Sequence, residues 1–112
     1  MTDIFIDLDN PVFAASADLS LLQMIKEGKF PWPAEATCAT QDSDGAITWW
    51  SAPLDEVCAA RVAAKPEVGL MPLVGLANQV HEDYYQVNDI EYTAKDWLTA
   101  VVSHGEFLAA SE

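Results

Sequence analysis

Asp42-Ser43-Asp44-Gly45 and His81-Glu82-Asp83 set side-chain donors close together in this chain, and metal binding is the first chemistry they suggest. A calcium loop needs the run D-x-[DN]-x-[DN]-G and a bidentate Glu at its twelfth place. Here Gly45 arrives two places early and Pro53 stands where that Glu belongs, so turn chemistry accounts for the segment. His81 has no second histidine four residues away, and with His104, Cys38 and Cys58 it matches no zinc spacing. Nucleophilic catalysis needs a Ser or Cys beside a His and an orienting acid, yet no elbow glycines flank any serine. No phosphate-cradling loop or dinucleotide fingerprint occurs. Eighteen acids allow many carboxylate pairs of the glycosidase kind, but a domain this small rarely makes both a core and a substrate cleft. The expectation is no enzyme, no metal and no cofactor. Cys38 in a strand and Cys58 on an apolar helix face read as small core residues, reduced and cytoplasmic rather than bridged.

What the acids can do is recognise. Eighteen Asp and Glu against five Lys and Arg give a formal net charge of -13 in 112 residues. A soluble domain of this size usually carries roughly 2–8 units, and the excess costs stability through self-repulsion. Before Lys26 stand four acids and no base; after Pro66 stand eight acids against Lys95 alone. Acids spread this way form a surface only through folding, unlike a disordered acidic tail. We single out Asp42, Asp44, Glu82, Asp83, Asp89 and Glu91 as candidate binding carboxylates, with Trp50 and Tyr85 as candidate aromatic anchors. Adjacent Trp49-Trp50 and Tyr84-Tyr85 point to opposite faces of a strand, so one of each pair can reach a partner.

The elements that must position them are short. With 51% hydrophobic residues and four Trp, the chain is too apolar for disorder and long enough for one modest core. No apolar run approaches the ~20 residues of a membrane helix, and no signal-peptide pattern opens it. Residues 3–8 alternate as a strand ended by Asn10-Pro11. Asp18 or Ser16 can cap a helix through Leu19, Leu22 and Ile25, with Gly28 at its left-handed end. Phe30-Pro31-Trp32-Pro33 is an extended connector. Residues 36–41 and 46–50 are β-prone on either side of Asp44-Gly45, a hairpin signal. From Pro53 to Lys65, Leu54, Val57, Cys58, Arg61 and Val62 recur at helical spacing, with Pro53 at the first helical position and Pro66 as the stop. Residues 68–80 fit a buried loop, a short strand or a helix starting after Pro72. Tyr84 to Tyr92 favour strand, and Thr93-Ala-Lys-Asp96 matches a capping box opening a helix through Trp97, Leu98, Val101 and Val102. Residues 107–112 should fray. The expected class is α+β: one small domain, residues 1–112, with an antiparallel sheet whose central Asp-Gly hairpin packs against two or three helices.

The segment from Lys29 to Trp50, Phe-Pro-Trp-Pro-Ala-Glu-Ala-Thr-Cys-Ala-Thr-Gln-Asp-Ser-Asp-Gly followed by Trp-Trp, resembles a module of small bacteriophage and prophage accessory proteins. In those, a proline and an acid precede alanine-threonine, then an acid-glycine turn and an aromatic strand. The resemblance spans about a fifth of the chain and is a hairpin consensus rather than a catalytic signature. It implies a phage-type origin and, with the acidity, a counter-defence factor of the anti-CRISPR or anti-restriction type. Duplex DNA presents one negative charge per ~1.7 Å of axis, and its binding proteins offer matching Lys/Arg tracks. A folded acidic face can compete for such a track and associate quickly. The function expected is DNA mimicry against the basic surface of a CRISPR effector or restriction enzyme in a bacterial cytoplasm, without direct nucleic-acid or membrane binding. An immunity protein against a basic nuclease toxin and a non-catalytic phage assembly protein are the alternatives, and a homodimer is compatible with either.

Overall fold

Side chains alternate across a strand, so two adjacent tryptophans need two separate covers. The computed structural model, which describes residues 14–64 and 69–109, supplies both. Its elements run β1 (Ala15–Ser16), α1 (Leu21–Glu27), β2 (Cys38–Gln41), β3 (Ala46–Trp50), α2 (Leu54–Ala63), α3 (Met71–Val74), a 3-10 turn (Leu76–Asn78), β4 (Gln79–Tyr84), β5 (Gln86–Val87), β6 (Ile90–Thr93), β7 (Val102–Ser103) and α4 (His104–Ala109). One sheet has the order β4-β3-β2-β7, all neighbours antiparallel; the other has the order β1-β6-β5, with β1 parallel to β6. The class is α+β. The strand expected over residues 3–8 lies outside the described residues.

Every residue of β2 and β3 is buried. Ala39, Ile47 and Trp49 join Leu21, Met24 and Ile25 of α1 in one core. Cys38 and Trp50 join Val57 and Ala60 of α2, with Leu70, in the other. The register Ala39↔Trp49 and Cys38↔Trp50 puts each pair on one face. Burying a side chain of this size contributes about 1.5–3 kcal/mol. Trp50 donates its Nε1–H to Thr40 Oγ1 at 2.9 Å, satisfying the one polar atom it brings in.

Several local expectations are corrected. α1 is capped by Ser20 rather than Ser16 or Asp18: its Oγ accepts from Gln23 N while Gln23 Oε1 accepts from Ser20 N. Gly28 is right-handed (φ -76°), and Lys29 takes the left-handed conformation (φ 57°) instead. A Cβ at 28 would collide with the Phe30 ring, so any larger residue there has to push that ring aside. Pro53 is the N-cap of α2, not its first helical residue.

The helix expected after Thr93 does not form. Thr93 ends β6, and its Oγ1 donates to Ala15 O. Asp96 Oδ1 accepts from Leu21 N at 2.8 Å, capping α1 from 75 residues away rather than its own segment. Residues 95–99 run as turns, and Val102 joins β7 beside β2. The expected fraying of 107–112 is corrected in part, because Phe107–Ala109 belong to α4. Phe107 lies against Trp32 with ring centroids 5.0 Å apart, and Lys26 Nζ sits 4.1 Å above its ring.

Candidate functional site

The segment joining β2 to β3 is held by its own backbone. Asp42 N donates to Ala46 O at 2.9 Å, Gly45 N to Asp42 O at 3.0 Å, and Ala46 N to Asp44 Oδ1 at 3.0 Å. Gly45 sits at φ +95°, and its Cβ position would lie 3.3 Å from Glu91 Cβ, so the segment packs directly under β6. Buried Gln41 fastens that approach. Its Nε2 donates to Gly45 O and Tyr92 O, each at 3.0 Å, and its Oε1 accepts from Ala94 N at 2.7 Å. β5 and β6 are joined through Asn88 and Asp89, both at positive φ (54° and 67°), the geometry of a tight primed turn. Glu91 is fixed by Gln86, whose Nε2 donates to its Oε2 at 2.6 Å.

Strand register gathers the acids. Tyr84 pairs with Ala46 and Glu82 with Thr48, so Glu82 and Tyr84 share a face of β4 at the end nearest the 42–45 segment. Burial, then the charges of Asp44, Glu82, Glu91 and Asp42, raise the Tyr84 phenol above its ordinary value. Those four carboxylates all act on one exposed tyrosine. Burial also raises Asp42, opposed by Arg61 and reinforced by Asp44 and Glu82. The corner holds more negative charge than its own residues neutralise, and it includes an exposed tyrosine. Cations are attracted to both.

The other singled-out residues go elsewhere. Asp83 lies on the opposite face with His81, the pair 3.7 Å apart, and its Oδ1 accepts from Tyr84 N. Asp89 is exposed in the β5–β6 turn. Trp50, expected as an outward anchor, is 1% exposed and belongs to the core. Tyr85 is half-buried against the α1 core, so the outward residue of its pair is Tyr84. Both tryptophans are inside because α1 and α2 cover both faces of the sheet, a tertiary fact that neither residue signals.

Cys38 is buried, and burial raises its thiol; Cys58 is exposed rather than in the core, and both are free. The residue on that helix that is buried instead is Arg61, at 3% exposure. It sits at helical spacing with the apolar residues, and that spacing was the signal. Among the described residues, no group of three His, Cys, Asp or Glu could hold a metal ion, and no helix is long and apolar enough to cross a membrane. Comparison with known proteins returns no matching family model, no similar curated protein and no similar solved structure.

Proposed function

We propose that this protein is a non-enzymatic, phage-type inhibitor whose acidic corner occupies the basic nucleic-acid-binding surface of a bacterial defence complex, a CRISPR effector or a restriction enzyme. The observation that carries the reading is the register that sets Glu82 and Tyr84 on one face of β4 beside the turn bearing Asp42 and Asp44, with Glu91 packed against Gly45 of that turn. Carboxylates on separate strands and turns present charge at fixed positions, as phosphates do along a duplex. The remaining excess of the -13 net charge steers the encounter, while Tyr84 supplies the apolar anchor that charge alone lacks. Blockade is steric and electrostatic, with no turnover.

The test is capture from bacterial lysate at low salt and at about 0.5 M salt, where exposed charge pairs are largely screened. The captured complex is then assayed for binding to its own nucleic acid. A nucleic-acid-handling complex held at low salt, released at high salt and displaced by its nucleic acid is the expected result. Capture that ignores salt, or coexists with bound nucleic acid, would overturn the proposal.

A further inference from the structure

In the sheet order β4-β3-β2-β7, β4 stands at an edge, with β3 as its one strand neighbour among the described residues. The register tells which of its backbone groups that neighbour uses. Asp42 N donates to Ala46 O, so Ala46 turns its backbone toward β2. Backbone direction alternates along a strand, so Ile47 and Trp49 turn theirs toward β4, where they meet Asp83 and His81. Glu82 and Tyr84 therefore point their N–H and C=O groups away from the sheet. The Tyr84 N–H bears this out, since it donates to the Asp83 carboxylate of its own strand at 2.8 Å. Glu82 and Tyr84 are both exposed, and they share a face.

An open strand edge is a template for another strand. A second copy of this chain fits it badly. Antiparallel pairing of β4 with itself about Glu82 would set two Glu82 carboxylates directly opposite, between chains of net charge -13 each. Like charges placed so are destabilising, whereas a Lys or Arg opposite Glu82 is attracted. The next residue on that face, Tyr84, offers an aromatic ring to a second basic side chain.

We propose that β4 binds an extended, Lys/Arg-rich segment of a partner protein by antiparallel strand addition. A basic residue opposite Glu82 exchanges backbone hydrogen bonds with it and sets its side chain against the Glu82 carboxylate. A second basic residue, two places along, lies against Tyr84. Strand addition gives the bound segment its form, and rests on the acidic-corner reading for the basic partner that supplies it.

NMR on the isotope-labelled chain with the capped peptide Lys-Val-Lys-Val-Lys-Val-Lys tests this. In the free chain the Glu82 amide should exchange fast and the Asp83 amide slowly, and saturating peptide should slow Glu82 at least about tenfold. Two analogues of equal charge separate strand addition from plain attraction. N-methylation at the lysines, whose amides face β4, should weaken binding about tenfold relative to N-methylation at the valines. Glu82→Gln, which leaves the backbone as it is, should weaken the parent peptide about threefold. A Glu82 amide already slow without peptide, or slowed by raising the protein concentration alone, would overturn the proposal. So would equal binding of the two analogues, or indifference to Glu82→Gln. The titration uses the chain alone, so equal binding of the analogues with salt-sensitive capture from lysate retained would strike strand addition and leave the acidic corner standing.

Discussion

Replacing Gln41 by leucine tests whether the acidic corner is held by the network drawn above. Gln41 is fully buried, and its amide serves Gly45 O, Tyr92 O and Ala94 N. Leucine keeps nearly the same volume and removes all three bonds. The buried Ala94 N–H is left without a partner, at about 1–3 kcal/mol, and each carbonyl loses roughly 0.5–1.5 kcal/mol. Better burial of leucine offsets part of this, so we expect a net loss of about 3 kcal/mol. For a domain of this size that lowers Tm by roughly 12–20 °C. Thermal unfolding followed by tryptophan fluorescence and far-UV circular dichroism reads it directly. The same bonds hold β6, and with it Glu91, against the 42–45 segment, so partner capture should weaken in step. A Tm drop below about 3 °C, with both probes still coincident, would show that Gln41 is not the fastener and would refute the reasoning.

Three further outcomes are expected. Asp42 titrates above its ordinary value in the folded state because burial disfavours its charge. The folded chain therefore binds that proton more readily, and stability falls as pH rises from about 3.8 through the folded value. Asp42→Asn should raise the urea midpoint at pH 7 and lose that advantage below pH 3.8, whereas a variant less stable at pH 7 would contradict the sign. Ser20→Ala removes the capping box of α1 and should cost about 1 kcal/mol in chemical denaturation, while Ser16→Ala, at the site the sequence suggested, should cost almost nothing. A maleimide should modify Cys58 in the native protein and reach Cys38 only on unfolding, because Cys38 is buried under Trp50 and α2; equal rates would place both thiols wrongly.

Elements built from local signals were legible in the sequence. The apolar spacing of α1 and α2 corresponds to those helices, and the β-branched and aromatic run from Tyr84 to Tyr92 to the end of β4, to β5 and to β6. What failed did so where a local signal was answered from elsewhere. Thr93 and Asp96 satisfy a capping pattern, but Asp96 is taken by the first amide of α1 and Thr93 by Ala15, so the helix they announced never starts. Trp50 and Cys58 were assigned by face, and the faces depend on what covers the sheet and the helix. The four converging carboxylates come from three separate stretches, and only the β3–β4 register and the Gln41 bonds bring them together. Arg61 looked like one more position on an apolar face, because its spacing says it is buried and not what it faces.

The central claim is that placement of charge, rather than its total, makes the binding face. The most direct measurement compares two triple charge reversals in the capture assay: Asp44→Lys, Glu82→Lys and Glu91→Lys at the corner, against Glu27→Lys, Glu35→Lys and Glu56→Lys. The second set is exposed and lies on α1, the connector before β2 and α2 rather than at the corner. Both variants carry the same net charge, so loss of capture in the corner variant with retention in the other is the predicted result. Equal loss in both, or retention in both, would contradict it.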